Sequence, residues 1–182
     1  MSEKIAVIFP GIGYHADKPL LYYSRKLAAE KGYRVIMPAF GPFPQKVKGD
    51  EAAMRECAAI ALRQAREQLS AEELRAAKTV FFSKSIGTVA AAAYAAEEGL
   101  SPVQIYYTPV AETFAWAKAG CGIVFHGTKD PWVSTDLVRS ACETLSIPCV
   151  ITKGANHSLE TGDAVQDLKI LRETMKTVRE RL

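Results

Sequence analysis

Three polar residues of the chain are of the types that carry out nucleophilic catalysis together: a serine, an aspartate and a histidine. Ser85 lies in FFSKSIGT at 81–88, Asp130 in VFHGTKDPW at 124–132, and His157 in VITKGANHS at 150–158. Each follows an apolar run that is typical of a buried strand. A set of these three types can activate a serine hydroxyl for acyl transfer, provided that the fold brings them together.

Ser85 has the surroundings of a serine on a sharp turn from a strand into a helix. Such a turn exposes its central side chain only where the residues two before and two after are small, and Ser83 and Gly87 meet that need. The helix that follows would aim free N–H groups at the place where an oxyanion forms. Taken alone, each residue also has an ordinary interpretation: Ser85 as a helix N-cap, Asp130 as a turn residue, and His157 as an exposed loop histidine.

The hydrophobic pattern predicts a scaffold that can gather these residues. Six short apolar runs are predicted strands, at 5–9, 33–37, 79–82, 103–108, 122–126 and 148–152. Helices are predicted at 17–32, 50–69, 86–98, 112–119, 135–145 and 164–181, with a polar helical turn at 70–77. Asp17 can cap the first helix, which has Pro19 in its first turn. Strict alternation predicts an α/β fold with a doubly wound, mainly parallel six-stranded sheet, helices on both faces, and a site at the carboxyl ends of the strands.

Length and composition narrow the class of protein. The 182 residues, 48% apolar and 24% charged, are expected to form a single domain spanning 1–182. The net charge is only +3 and the longest apolar stretches are short, so neither nucleic acid nor a membrane is an expected partner. The lack of a signal-peptide pattern and of CxxC spacing favours reduced thiols and a cytoplasmic location. No metal-binding motif occurs, so no metal or cofactor is expected.

A second motif, Gly11-x-Gly13-x-x-Ala16, formally fits the fingerprint of a dinucleotide-binding loop. That fingerprint requires a helix that begins within the glycines, whereas Pro19 places the predicted start several residues later. It also requires an acidic residue at the end of the second strand, where the chain has Met37 and then a proline. These mismatches argue against dinucleotide binding.

With serine, aspartate and histidine in that order at the ends of parallel strands, the chain resembles a small, lidless α/β-hydrolase of the dienelactone-hydrolase-like type. The most specific segments are HGTKDPWV at 126–133 and GANHSLE at 154–160, and the resemblance covers nearly the whole chain. It implies a minimal hydrolase core without a cap domain. It also implies that Ser85 is the nucleophile, that His157 is the general base and acid, and that Asp130 orients His157. The N–H groups of Ile86 and Ile12 would form the oxyanion hole.

The chain departs from the family pattern at three places. Ser83 stands where the family has the first glycine of GxSxG, and Pro10-Gly11 stands where it has His-Gly. The dienelactone hydrolases proper have a cysteine nucleophile, whereas Ser85 is a serine, so their substrate is not carried over.

The function expected from the resemblance is hydrolysis of a small ester through an acyl-enzyme, at a shallow site without a lid. Thioesterase or amidase activity is the nearest variant. The alternative is an α/β-hydrolase-fold protein that binds a small molecule or a partner and catalyses little, which the departures at Ser83 and Pro10 favour.

The remaining candidate residues lie in loops at the ends of the strands. Gly11, Gly13, Tyr14 and Trp132 are expected to line the substrate site, although packing explains the two aromatic residues equally well. Lys84, next to the serine, is expected to point outward from the turn. His126 is expected to be a packed residue and not a second base. His15 is expected to be a solvated loop residue.

Overall fold

The computed structural model describes residues 3–44, 47 and 50–182. Its strands are β1 (Lys4–Phe9), β2 (Arg34–Ile36), β3 (Lys78–Lys84), β4 (Val103–Tyr107), β5 (Gly122–Gly127) and β6 (Cys149–Thr152). They form one six-stranded sheet in the order β2-β1-β3-β4-β5-β6. Every neighbouring pair is parallel, so all the carboxyl ends lie along the same edge.

Helices cover both faces of this sheet. They are α1 (Pro19–Glu30), α2 (Glu51–Gln68), α3 (Ala71–Ala76), α4 (Ile86–Glu97), α5 (Thr135–Thr144) and α6 (Ala164–Arg179). The helices α1 and α6 pack on one face, and α2, α4 and α5 pack on the other. The predicted doubly wound, parallel α/β sheet is confirmed. In the part of the chain that the structure describes, no helix is both long and apolar enough to cross a bilayer.

The core lies in two layers because the central strands are buried on both faces. In β3, Phe82 contacts the α1 and α6 side, whereas Phe81 contacts the opposite side. The alternation follows from the two-residue period of a strand. On the Phe81 side, α4 presents alanines such as Ala90 and Ala91, whose small side chains let the helix lie close to the sheet.

Two predicted elements differ from the structure. The first helix begins at Pro19, and its N-cap is Lys18 without a side-chain cap, so the prediction that Asp17 caps it is wrong. Proline holds the residue before it in an extended conformation, which puts the cap one residue after Asp17. The helix predicted at 112–119 is a single 3₁₀ turn, Ala111–Ala115. The other predicted strands and helices end within two residues of the observed ends.

The strand order sets the distances between the strand ends that precede the three candidate residues. Ser85 follows β3, Asp130 follows β5, and His157 follows β6. Because β4 and β5 lie between β3 and β6, the last loop must reach back over three strand spacings, or about 14 Å. The loops beyond the carboxyl edge therefore decide whether these residues meet.

Candidate active site

Ser85 alone forms the turn between β3 and α4. The strand ends at Lys84 and the helix begins at Ile86, and the Ser85 backbone has φ 54° and ψ −124°, which residues other than glycine rarely adopt. The Ser85 N–H still bonds to the Tyr107 carbonyl at 3.1 Å, as a strand residue does, while its own carbonyl accepts from the Thr88 N–H at 2.9 Å. The chain therefore passes from strand to helix within one residue, which leaves the serine hydroxyl free to face the loops.

The two small neighbours of Ser85 have separate reasons to be small. A Cβ at Gly87 would lie 2.3 Å from the Phe9 carbonyl oxygen and 2.4 Å from that of Pro10, so only glycine lets α4 begin so close to the end of β1. Ser83 is buried, and its hydroxyl donates to the Ile105 carbonyl at 3.3 Å. The serine that replaces the family's glycine is thus accommodated without an unpaired polar group.

Asp130 lies in a tight turn just after β5. Its N–H donates to the Gly127 carbonyl at 3.0 Å, and the Trp132 N–H donates to its Oδ1 atom at 2.9 Å. The Asp130 side chain is fully buried. These bonds fix the carboxylate and leave its Oδ2 atom for the loop that carries His157.

The His157 loop reaches back across the sheet because it is held at the ends of β4 and β5. Thr108, the residue after β4, donates its hydroxyl to the His157 carbonyl at 2.9 Å. At the end of β5, a Cβ on Gly127 would lie 2.3 Å from the Ala155 carbonyl oxygen, so glycine is what allows the loop to lie against the strand. These two contacts span the gap that the strand order creates.

Ser85, His157 and Asp130 form one chain of hydrogen bonds. The His157 Nδ1 atom is 2.7 Å from Asp130 Oδ2, and the His157 Nε2 atom is 2.8 Å from Ser85 Oγ. A carboxylate only accepts, so Nδ1 carries the hydrogen and Nε2 has a free lone pair for the serine hydroxyl. The structure brings these three residues together in the arrangement of a base between a nucleophile and an orienting acid.

The surroundings of His157 favour its neutral form. Burial lowers its pKa below 6.5, the hydrogen bond to Asp130 acts in the opposite direction, and the nearby Lys84 adds to the lowering. Since the neutral imidazole is the form that accepts a proton, this environment keeps the histidine ready to act as a base.

The turn that contains Ile12 lies against Ser85, and Ile86 directly follows Ser85 in the chain. Gly11 and Tyr14 exchange backbone hydrogen bonds of 3.1 and 3.3 Å and close a turn with Ile12 inside it. A Cβ at Gly11 would lie 3.1 Å from the Ser85 Cβ, so this turn lies directly against the serine. Among the described residues, neither the Ile12 nor the Ile86 N–H has a hydrogen-bond acceptor. Both groups are available as donors, and their use remains a prediction.

The four residues expected to line the substrate site lie in different surroundings. Gly11 packs against the serine turn, and Gly13 is exposed at φ 69°. The Tyr14 side chain is buried and its hydroxyl accepts the Leu20 N–H at 3.1 Å, which makes it part of the core at the base of the site. Trp132 is half-exposed, with its ring centroid 5.8 Å from that of His157. Of these four residues, Trp132 is the one whose side chain lies beside His157 and is open to solvent.

Two cavities are lined by residues that follow Asp130 and His157 in the chain, and neither is lined by Ser85, Asp130 or His157 themselves. One has a volume of about 380 Å³ and includes Val110, Glu112 and Trp132 in its wall. The other, of about 330 Å³, lies on the α1 and α6 side and includes Tyr14 and Leu159. A cavity of about 700 Å³ lies between α4 and the amino ends of β4 and β5, at the opposite end of the sheet. Its position separates it from Ser85.

Lys84 lies where the sequence prediction did not place it. The residue was expected to point outward from the turn, but its side chain is only 1% exposed, so that prediction is wrong. Lys84 is the last residue of β3 and lies two residues after Phe82, so the strand period turns both side chains to the same buried face. Continuing that alternation by two residues would have identified the burial.

His126 on β5 is a third buried group near Asp130. Its Nε2 atom is 3.1 Å from the Thr135 hydroxyl, and its Nδ1 atom is 3.8 Å from Asp130 Oδ2, beyond hydrogen-bond distance. Burial lowers the pKa of His126, so the ring is neutral. This position agrees with the prediction of a packed residue.

The described residues contain no cluster of metal-ligating side chains. Within them, no three His, Cys, Asp or Glu side chains are grouped so as to hold a metal ion. The arrangement can act chemically through the hydroxyl, the imidazole and the carboxylate described above.

No protein-family profile matches the chain, and no curated protein matches it in sequence. Solved structures match it in fold. An α/β serine hydrolase homologue from Coxiella burnetii superposes with a TM-score of 0.62 at 16% identity, over 100% of this chain and 86% of its own. A serine hydrolase without a lid from Xanthomonas campestris gives a TM-score of 0.64 at 15% identity, over 100% and 83% of the two chains. The chain has the lidless α/β-hydrolase fold.

Est1E from Butyrivibrio proteoclasticus, solved with ferulic acid bound, shares this α/β-hydrolase fold. It superposes with a TM-score of 0.67 at 11% identity, over 98% of this chain and 88% of its own. The predicted α/β-hydrolase core without a cap domain is therefore confirmed. At these identities the likeness concerns the fold, and function depends on the residues at the site.

Proposed function

We propose that the protein is a serine hydrolase that cleaves a small ester through an acyl-enzyme on Ser85. The observation that carries the proposal is the unbroken chain of hydrogen bonds from Ser85 Oγ through His157 to Asp130, with distances of 2.8 and 2.7 Å. A binding protein has no need for a serine on a strained turn with a neutral histidine aligned on its hydroxyl.

The reaction follows from the positions of these groups. Ser85 Oγ attacks the ester carbonyl carbon while His157 Nε2 accepts the serine proton, and the carbonyl oxygen becomes an oxyanion within reach of the Ile12 and Ile86 N–H groups. The C–O bond to the alcohol then breaks, and His157 gives its proton to the leaving alkoxide. Water deprotonated by His157 attacks the acyl-enzyme, and the acid leaves as Ser85 regains its proton. Asp130 stabilises the imidazolium in both halves.

The surroundings of the serine support a small acyl group. The fold carries no cap domain, and the cavities beside the loops of Asp130 and His157 are about 380 and 330 Å³, at the lower end of the range for small-molecule sites. The Trp132 ring beside His157 offers an apolar surface for one side of the substrate. Est1E, of the same fold, has been solved with ferulic acid bound, and a carboxylic acid is the class of product that an esterase releases.

The first experiment is labelling with a fluorophosphonate, read by intact mass, because this probe reports an activated serine whatever the natural substrate is. The wild type is compared with Ser85→Ala and His157→Ala. Ser158→Ala is the matched control, since it removes a hydroxyl next to His157 that takes no part in the bonded chain.

The expected result is one adduct on the wild type and on Ser158→Ala, and none on the other two variants. Absence of an adduct on folded wild-type protein would overturn the proposal and favour an α/β-hydrolase-fold binding protein. An adduct that persists in Ser85→Ala would show that another residue is the nucleophile.

A further inference from the structure

Lys84 is a buried cationic residue that the proposed reaction does not use. Its side chain is 1% exposed, although it directly precedes the nucleophile. Its ammonium lies 4.9 Å from the centre of the Tyr14 ring, within the distance of a cation–π contact. An ammonium in such a position loses most of its hydration, and the ring face of Tyr14 compensates for only part of that loss. The charged groups around the ammonium must therefore contribute to its stability.

The groups that act on the Lys84 ammonium come from the loops beyond the sheet. Asp130, after β5, and Glu160, after β6, attract its charge. The charge of Lys84 in turn lowers the pKa of His157, which follows β6. Of these partners Glu160 is exposed, whereas the Asp130 carboxylate is completely buried, so the interaction with Asp130 is the one least screened by water.

The aromatic neighbours of Lys84 are uncharged. Tyr14, after β1, provides the ring face, and burial raises the pKa of its hydroxyl to about 12. Tyr107, which lies opposite Lys84 on β4, has its hydroxyl 2.7 Å from that of Ser24 on α1. Burial raises the pKa of Tyr107 as well. The buried part of this region therefore holds one negative charge, on Asp130, and three groups that can become positive: Lys84, His157 and His126. The Nδ1 atom of His126 lies 3.8 Å from Asp130 Oδ2, and burial lowers its pKa.

We propose that Lys84 is a positioning residue of the active site: it competes with His157 for the single buried carboxylate of Asp130, so the charge of Lys84 sets how readily His157 takes the proton of Ser85. The inference rests on the proposed function. When Lys84 is charged, an imidazolium at His157 is repelled and shares its counter-ion. When Lys84 is neutral, Asp130 stabilises the imidazolium alone. Burial lowers the pKa of Lys84 to about 7, so both states occur near neutral pH.

The test removes the charge and follows the titration of His157. In Lys84→Met the cation is replaced by an apolar side chain of similar length, and His157 is followed by NMR of the imidazole nitrogens, since the chain has only three histidines. We expect the midpoint of the His157 titration to rise by about half a pH unit or more, because the repelling charge has gone. Lys129→Met is the matched control: Lys129 directly precedes Asp130 but is exposed, so its removal is expected to leave the midpoint unchanged.

The pH dependence of the labelling rate is a second test of the competition. In the wild type the rate of fluorophosphonate labelling is expected to rise with pH in two steps, first as His157 loses its proton and again near pH 7 as Lys84 does. Lys84→Met is expected to show a single step that begins at higher pH than the first step of the wild type. If labelling fails altogether, the proposed function is wrong, and the NMR titration still reports on the competition.

An unchanged His157 midpoint in folded Lys84→Met would overturn the inference. So would an equal shift in Lys129→Met, since it would show a general effect of charge. If Lys84→Met does not fold, the wild type and Asp130→Asn are compared by NMR of lysine labelled with ¹³C at Cε. The Lys84 midpoint is then expected near pH 7 in the wild type and at least about half a unit lower in Asp130→Asn; no difference between them would overturn the inference.

Discussion

Ser85 holds its hydroxyl in place with a backbone conformation that glycine adopts more easily. The φ of 54° is strained for a side chain with a Cβ atom, and such strain costs about 1–3 kcal/mol. We expect Ser85→Gly to be more stable than Ser85→Ala by about 1 kcal/mol, because only the glycine relieves the strain while both variants lose the hydroxyl. The greater freedom of glycine in the unfolded chain reduces the gain.

The measurement is chemical denaturation of both variants and of the wild type under the same conditions. The Ser85→Ala variant is the control for loss of the hydroxyl and of its bond to His157. Equal stabilities of Ser85→Gly and Ser85→Ala would show that the turn is not strained, and the serine would then owe its position to its neighbours alone.

At the scale of whole elements, the start of α4 depends on Gly87. A methyl group there would meet two backbone carbonyl oxygens at 2.3 and 2.4 Å, and backbone cannot move aside as a side chain can. We expect Gly87→Ala to lower the free energy of unfolding by about 2 kcal/mol or more and to slow fluorophosphonate labelling of the folded fraction, because the helix start carries the Ile86 N–H and the serine turn.

Gly122→Ala is the control for this clash. Its added Cβ would lie 1.7 Å from the Gln104 carbonyl oxygen, at the amino end of β5 and away from Ser85. We expect it to lose stability as well, but to label at the wild-type rate once folded. Equal labelling rates in the two variants would mean that the start of α4 does not set the reactivity of Ser85.

One of the two contacts that hold the His157 loop is a hydroxyl at the end of β4. Thr108→Val keeps the shape and removes the donor to the His157 carbonyl, which lies at 2.9 Å. We expect a loss of about 1 kcal/mol of stability and a fall of about tenfold in labelling rate, since the histidine is no longer held at its distance from Ser85. Thr108→Ser restores the donor and is expected to recover most of the rate. Equal rates in the valine and serine variants would contradict this role.

The elements were predictable because local pattern and tertiary environment agree in them. Each strand contains an apolar run. The starts of α2, α3, α5 and α6 are capped by the side chains of Asp50, Ser70, Ser134 and Asp163. The residue type of Asp17 predicts a cap, but Pro19 fixes the helix start one residue later than that prediction requires. The 112–119 segment has the composition of a helix, yet only one 3₁₀ turn forms there.

The residues of the candidate site could be predicted from the sequence, but the distances between them could not. Chain order and strand ends place Ser85, Asp130 and His157 on the same edge of the sheet. The contacts that close the gap between them, the Thr108 hydroxyl and the approach of Ala155 to Gly127, join segments far apart in sequence and leave no local pattern. Lys84 was missed for a different reason: a charged residue at a turn is usually solvated, and its burial shows only when the strand alternation is continued through it.

At the scale of the whole molecule, burial of Lys84 links folding to pH. The pKa of Lys84 is about 7 in the folded protein, against an ordinary value of 10.5. Between these values the unfolded chain binds one more proton than the folded protein, so stability rises as the pH rises through this window. From pH 7 to pH 9, we expect the free energy of unfolding of the wild type to increase by about 2 kcal/mol relative to Lys84→Met.

Denaturant titrations of both proteins at pH 7, 8 and 9 measure this difference. Groups other than Lys84 titrate in both proteins, so comparing the two removes their contribution. A constant difference between the curves would show that the Lys84 ammonium keeps its ordinary proton affinity despite its burial.

The strand order also separates the proposed nucleophile, Ser85, from its proposed base, His157, in the order in which parts of the molecule unfold locally. Ser85 follows β3, which is paired on both sides, whereas His157 follows β6, a four-residue strand at the edge that is paired only with β5. Opening an edge strand breaks one ladder of hydrogen bonds and exposes little core, so it requires less free energy than opening the centre of the sheet. Amide hydrogens of β6 would then exchange with solvent before those of β3. On warming, His157 would leave its place beside Ser85 while the sheet and the serine turn are still intact, and the loss of fluorophosphonate labelling would be reversible until the central strands open.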